Sequence, residues 1–211
     1  MNSRKSLCSI FIIVLLLIFN SLHAQYKKYP AEIMLGVNGG MTGSMAYFKP
    51  AINQTYVLGN EAGLIFRYIS EKNLGIQTEL NFTQKGWGET SFERQMDYIE
   101  VPFMTHLYFG RKTRMFLNLG PKAGFLIADR VLLNTLTEEK YRHITPVFNK
   151  LEYGFTGGFG LYTHIKKQVF QLETRASFSM SNFFQDDLAG IYDNSNYMNV
   201  SVKLGWLLKL K

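Results

Sequence analysis

Apolar and polar residues alternate with a period of two along most of the chain. The pattern is clearest in two runs, Tyr98–Phe109 and Met115–Ile127, which the short connection Gly110–Arg114 joins. Because successive side chains of a β-strand point to opposite faces of a sheet, the alternation predicts a β-hairpin. Each run is roughly twelve residues long, which is long for a soluble strand and suits a tilted strand that crosses a bilayer.

Six further stretches alternate in the same way, so the chain is predicted to form eight antiparallel strands. The predicted strands are Glu32–Thr42, Leu58–Ile69, Leu74–Lys85, Tyr98–Phe109, Met115–Ile127, Tyr153–Ile165, Val169–Met180 and Tyr197–Leu210. Their connections alternate between short turns and long loops. The turns are Ser70–Asn73, Gly110–Arg114 and Lys166–Gln168, and the loops are residues 45–56, 86–96, 128–150 and 181–196. Short periplasmic turns and long external loops are typical of outer-membrane barrels.

The predicted fold class is therefore all-β, an eight-stranded antiparallel up-and-down transmembrane β-barrel. Pairing of the first and last strands would remove the open edges of the sheet. Two local features modify this picture. Leu132–Arg142 is compatible with a short helix, and Gly120-Pro121 predicts a bend or a local loss of strand pairing, because proline cannot donate to the ladder.

The N-terminus has the features of a secretory signal peptide. Arg4 and Lys5 precede the apolar run Leu7–Phe19, and Ala24 offers a small residue for cleavage. We therefore predict a signal peptide at residues 1–24 and a barrel domain at residues 25–211. Cys8 is the only cysteine, so the mature chain would contain no disulfide. Export and the scattered positions of the basic residues argue against nucleic-acid binding, although the net charge is +7.

The alternation alone does not decide which face of the sheet is inside. A lipocalin-like soluble barrel would have an apolar interior, whereas a membrane barrel would have an apolar exterior. The apolar face carries hardly any charge, the other face mixes glycine with charged residues, and the strands are uniformly long. These features favour the membrane arrangement.

The charged residues of the polar face are predicted to fill the lumen, because an eight-stranded barrel is just wide enough for its own side chains. Buried charges are costly unless they are paired, so we expect an electrostatic plug that holds the sheet closed. The expected members are Glu61, Arg67, Glu79, Lys85, Glu100, His106, Lys122, Glu173, Arg175 and Lys203. The alternative is a narrow ion path lined by the same residues.

No catalytic, cofactor or metal site is predicted. His143 and His164 have no partners at metal-ligand spacing. Ser91, Ser181 and His143 could serve a lipid-modifying enzyme only if the fold brought these loop residues together.

The outward face is predicted to carry aromatic and lipid-contacting side chains. Tyr68, Phe109, Tyr153 and Trp206 are expected near the turn end as part of an interfacial girdle. Met96, Phe103, Phe155 and Phe178 are expected to contact lipid.

Three motifs in order along the chain resemble the PorT-like outer-membrane β-barrel family of Bacteroidota. They are Gln84-Lys85-Gly86 at a strand end, Tyr98-Ile99-Glu100-Val101-Pro102 at a strand start, and Gly120-Pro121 in the next strand. The resemblance covers essentially the whole mature chain and implies an outer-membrane barrel. Family members often finish on an aromatic residue, whereas this chain finishes Trp206–Lys211. The namesake is associated with type IX secretion and gliding, a role that membership alone does not transfer.

These observations favour a structural or binding protein that contacts outer-membrane lipid and meets a protein partner at residues 45–56, 86–96, 128–150 and 181–196. The first alternative is a narrow pore or a secretion-associated, type IX-like membrane component. A soluble periplasmic lipid-binding barrel and a lipid-modifying enzyme are the remaining alternatives.

Overall fold

A computed structural model of the protein describes residues 29–49, 54–89, 92–133, 147, 149–182, 184 and 194–210. The predicted signal peptide at residues 1–24 lies outside this part of the chain. Eight strands follow one another in it: β1 Glu32–Lys49, β2 Val57–Glu71, β3 Leu74–Glu89, β4 Phe92–Gly110, β5 Thr113–Leu133, β6 Leu151–Ile165, β7 Gln168–Ser179 and β8 Asn194–Lys209. No helix among these residues is long and apolar enough to cross a membrane.

The strands form a closed barrel in which each strand pairs antiparallel with its neighbours in sequence. β1 and β8 close the sheet along a register that runs from Met34 opposite Lys209 to Lys49 opposite Asn194. The predicted eight-stranded closed barrel is confirmed. The sheet therefore has no terminal edge strand, because the first and last strands complete each other's hydrogen bonds.

The barrel wall has the polarity of a membrane barrel. Leu204 and Phe159 on the outward face are 68% and 65% exposed, whereas Arg67 and Lys85 on the inward face are fully buried. This arrangement is opposite to that of a lipocalin-like soluble barrel, whose apolar side chains point inward.

Several strands extend further than predicted at the end that carries the long connections. β1 continues to Lys49, and β3 and β4 continue to Glu89 and Phe92, so residues 45–49 of the first expected loop and residues 86–89 and 92–96 of the second are strand. β5 reaches Leu133, so the expected helix at Leu132–Arg142 begins in a strand and otherwise lies outside the described residues. The extensions persist because their inward side chains, such as Phe48 and Trp87, pack in a shared apolar core.

The predicted irregularity at Gly120-Pro121 is confirmed. The register between β4 and β5 passes from Pro102 opposite Lys122 directly to Thr105 opposite Leu119, and so skips the residues between them. On its other side, Pro121 still pairs with Phe155 of β6. The strand therefore loses pairing on one side only, as expected where proline removes a donor.

Two expectations about the outward face are wrong. Tyr153 lies near the start of β6, at the end opposite the short turns, because it follows a long connection. Met96 is fully buried, because it has the same parity along β4 as Tyr98 and Glu100 and so points inward. The other three residues expected to contact lipid, Phe103, Phe155 and Phe178, are about half exposed on the outside.

Candidate functional site

All ten residues predicted to fill the lumen are buried, and none is more than 6% exposed. They are Glu61, Arg67, Glu79, Lys85, Glu100, His106, Lys122, Glu173, Arg175 and Lys203. They come from six of the eight strands, with β1 and β6 contributing none. The structure divides them into an upper cluster near the long connections, a lower cluster deeper in the barrel, and a histidine layer towards the turns.

The upper cluster consists of Lys85, Glu100, Lys122 and Glu152. Glu100 accepts hydrogen bonds from both lysines, with Lys122 Nζ 2.9 Å from its Oε1. Glu152 lies 2.7 Å from Lys85 Nζ and 2.7 Å from Lys122 Nζ. Two lysines and two glutamates thus balance in charge. Each comes from a different one of the consecutive strands β3, β4, β5 and β6, so the cluster links four of the eight strands of the wall.

The three sequence motifs converge on this upper cluster. Lys85 belongs to Gln84-Lys85-Gly86, Glu100 belongs to Tyr98–Pro102, and Lys122 directly follows Gly120-Pro121. The Lys85 ammonium also lies over the face of the Tyr98 ring, 4.3 Å from Nζ to the ring centroid. Residues that are separated along the chain are therefore neighbours in one ion-paired, aromatic-backed site.

The lower cluster centres on Glu79 and Arg175. Arg175 donates two hydrogen bonds to the Glu79 carboxylate, at 2.8 and 2.6 Å, and a third to Glu173 Oε1 at 2.7 Å. Lys203 Nζ lies 3.0 Å from oxygens of both Glu61 and Glu79. The paired guanidinium and carboxylate have a fork-to-fork geometry, which is the strongest form of such a contact.

Arg67 joins the lower cluster through two glutamines. Its Nε donates to Gln77 Oε1 at 2.8 Å, and its Nη2 donates to Gln171 Oε1. Gln77 in turn donates to Glu79 at 2.6 Å, and Gln171 donates to Glu173 at 3.2 Å. With Arg67 included, three bases face three acids, so the lower cluster is also neutral. Its members are Arg67, Arg175, Lys203, Glu61, Glu79 and Glu173.

The histidine layer lies between the lower cluster and the turns, where the His106 ring is surrounded by aromatic rings. His106 Nδ1 is 2.7 Å from Asn118 Oδ1, and the His106 ring lies 5.4 Å from Phe116 and 5.8 Å from Tyr162. No group of three or more histidine, cysteine or acidic residues in the described part of the chain could hold a metal ion. His106 thus contacts neutral and aromatic partners, as a space-filling interior residue would.

Both ends of the lumen are covered by further side chains. At the long-connection end, the aromatic cap comprises Ala46, Phe48, Trp87, Met96, Tyr98, Leu126, Phe184 and Tyr197. Phe48 and Trp87 meet edge to face at 5.2 Å. At the turn end, Glu32 pairs with Arg114 at 3.2 Å and with Lys209 at 3.3 Å.

The sequence interpretation missed several members of these layers. Glu152 fell between the predicted loop at 128–150 and the predicted strand Tyr153–Ile165, although it has the parity of Gly154 and Thr156, which would have placed it inside. Arg114 was assigned to a turn, and Gln77 and Gln171 are uncharged and so were not counted. The side-chain parity was a sufficient signal for all four residues.

A family model described as "Outer membrane protein beta-barrel domain" matches residues 23–185 of the chain. This chain belongs to that outer-membrane β-barrel family. Membership and the outward apolar wall locate the protein in the outer membrane, with its exposed aliphatic and aromatic side chains against lipid.

Solved structures of outer-membrane barrels resemble the fold at low sequence identity. OprG from Pseudomonas aeruginosa superposes with a TM-score of 0.51 at 12% identity, over 87% of this chain and 97% of that chain. The outer membrane enzyme PagL gives 0.49 at 13% identity, over 80% and 97%. Ail, the attachment invasion locus protein of Yersinia pestis, gives 0.45 at 13%, over 84% and 99%. A comparison with curated protein sequences finds no match. The likeness extends to the fold and no further.

The residues considered for an enzyme are only partly described. Ser91 and His143 lie outside the described residues. Ser181 Oγ accepts a hydrogen bond from the Tyr153 backbone amide at 3.2 Å and lies 3.1 Å from Ser179 Oγ. These contacts fasten the start of β6 to the segment that follows β7.

Proposed function

We propose that this family member is a non-conducting outer-membrane barrel that acts as a structural or binding protein through its long-connection end. The observation that carries the proposal is the filled lumen: two charge-balanced clusters beneath an aromatic cap. A conducting pore needs a continuous path along which ions exchange their water for weakly held ligands. Here the charged groups are already paired with one another across the barrel.

The long-connection end suits contact with another protein. β4 and β5 have 19 and 21 residues, which is more than a bilayer requires, so they support the connections well beyond the membrane. Exposed tyrosines also lie towards this end, with Tyr47 57% and Tyr56 72% exposed. Tyrosine is enriched in protein interfaces because it offers contact area together with a polar tip. A partner protein bound at this end is the expected ligand.

We also propose that the chain is a PorT-like barrel from a bacterium of the Bacteroidota. The support is the convergence of Lys85, Tyr98 and Glu100, taken from two of the motifs, on one buried cluster beside the third motif. The three motifs would then share one structural role, because each supplies or adjoins the upper cluster. A narrow pore or a type IX-like secretion component is the competing function for a barrel of this kind.

Single-channel recording separates the two functions. The purified full chain is inserted into planar bilayers, and a gel shift between boiled and unboiled samples verifies that the inserted protein is folded. We expect no steady discrete openings. A wide porin inserted in the same lipid serves as the positive control. Reproducible discrete openings by the folded protein would contradict the proposal and favour the pore.

A further inference from the structure

The short-turn end of the barrel carries a dense set of exposed bases. They are Lys72 in the first turn, Arg111 and Lys112 in the second, and Lys166 and Lys167 in the third. A sixth base, Arg114, is paired with Glu32 of β1 and is left out of the sum. Glu71 is the one acidic residue in these three turns, so the five exposed bases less one acid give a net charge of +4. In an outer-membrane barrel the short turns face the periplasm, at the level of the inner-leaflet headgroups.

Backbone hydrogen bonds join the turns into a continuous rim. Tyr108 N donates to Asn73 O at 3.1 Å, and His164 N donates to Lys112 O at 3.1 Å. Lys209 N donates to Lys167 O at 2.7 Å, which carries the rim on to the end of β8. The bases therefore stand on an ordered edge and not on independent loops.

A groove on the lipid-facing wall adjoins one sector of this rim. Its volume is roughly 400 Å³, and Val37, Gly39, Phe170, Leu204 and Trp206 contribute to its lining on β1, β7 and β8. Gly39 provides the depression, because it has no side chain between the larger neighbours.

The groove and the basic turn Lys166–Lys167 are close together along the strands. Phe170 is three residues from Lys167, and Trp206 is three residues from Lys209. At about 3.4 Å per residue, the groove lies ~10 Å from the lysines. This separation matches a molecule with an anionic head and an apolar tail that enters the bilayer.

We propose that this sector binds an anionic phospholipid of the inner leaflet, with its phosphate at Lys166 and Lys167 and an acyl chain in the groove. A protein partner would have to cover an apolar surface that already faces lipid. A phospholipid instead matches both the basic turn, through its phosphate, and the apolar groove, through its acyl chain. The net positive charge of the rim favours an anionic headgroup over a zwitterionic one. The inference does not depend on what the long-connection end binds.

Tryptophan fluorescence provides a local test. The chain has two tryptophans: Trp206 lies in the groove at 43% exposure, and Trp87 is fully buried in the aromatic cap. The full chain is reconstituted in phosphatidylcholine bilayers that contain either brominated phosphatidylglycerol or brominated phosphatidylcholine. We expect brominated phosphatidylglycerol to quench at a lower mole fraction, with a preference on the order of fivefold or more at low salt that high salt reduces.

Paired variants locate the effect. Lys166→Asn with Lys167→Gln should abolish the preference; asparagine tolerates the positive φ of 58° at position 166. The matched control, Lys49→Gln with Lys150→Gln, neutralises two exposed lysines at the opposite end and should retain it. Trp206→Phe should remove the lipid-sensitive signal. Gel shifts verify that each variant is folded.

Three results would overturn the inference. Equal quenching by the two brominated lipids would exclude anionic selectivity. A preference that survives in the Lys166 and Lys167 variant would place it elsewhere. A preference of unchanged size at high salt would show that the charged headgroup is not what the lysines recognise. None of these results would bear on whether the lumen conducts.

Discussion

Lys85, Glu100, Lys122 and Glu152 show how single side chains hold several strands together. Each carboxylate faces both lysines, so removal of one group affects every other member. A buried charge is tolerated only while its partners remain, because the cost of taking it out of water is then offset. The upper cluster is therefore a closed unit and not four separate pairs.

Replacement of Glu100 by alanine should destabilise the barrel strongly. Lys85 and Lys122 would then share Glu152 alone, which leaves one buried positive charge without compensation. Breaking a buried pair in this way costs about 3–5 kcal/mol. The measurement is the denaturant or temperature midpoint at which the folded gel band disappears in detergent.

The control for this variant is Glu71→Ala, which removes an exposed carboxylate in the first turn. That change should alter the free energy of unfolding by no more than about 0.5 kcal/mol, so the midpoint should stay close to that of the unmodified protein. If Glu100→Ala kept the midpoint of the unmodified protein, the plug would not depend on Glu100.

At the scale of the strands, side-chain parity predicted most of the fold. It identified eight strands, the inward position of Glu61 and Arg175, and the outward position of Phe155. It did not predict where β1 and β5 end, because alternation continues beyond the membrane wherever an inward core persists. Side-chain parity also did not predict which inward residues contact one another across the lumen. Arg175 and Glu79 are 96 residues apart in sequence, and their meeting depends on the register of every strand between them.

The seam between β1 and β8 offers a test of strand packing. A Cβ atom at Gly40 would lie 2.1 Å from Val202 O and 2.8 Å from Lys203 Cα, both backbone atoms of β8. Gly40→Ala should therefore force the closing strands apart and lower the free energy of unfolding by roughly 1–3 kcal/mol, the range for overpacked sites. The midpoint of the gel shift reports the loss.

The adjacent glycine supplies the matched control. A Cβ at Gly39 points outward, and its nearest atom, Glu61 O, is 3.9 Å away. Gly39→Ala should leave the midpoint nearly unchanged. Equal effects of the two substitutions would mean that the seam is not closely packed at Gly40.

At the scale of the whole molecule, the barrel has two different ends around a solid interior. The long-connection end is closed by aromatic side chains such as Trp87 and Phe184, which pack around the Arg94 guanidinium at 5.6 Å from each ring. The turn end is basic and ordered. This asymmetry is the basis of both proposals, protein recognition at the long-connection end and lipid recognition at the turn end, on either side of a filled lumen.

Access of a water-soluble thiol reagent to the lumen tests the filled interior most directly. Cys8, the only cysteine, is replaced by serine, and single cysteines are introduced as Ser201→Cys on the inward face and Tyr56→Cys outside. Ser201 is 2% exposed and Tyr56 is 72% exposed. A membrane-impermeant maleimide should label the Tyr56→Cys protein fully and the folded Ser201→Cys protein only after boiling in SDS. Labelling of folded Ser201→Cys as fast as Tyr56→Cys would mean a water-filled lumen and would contradict the account.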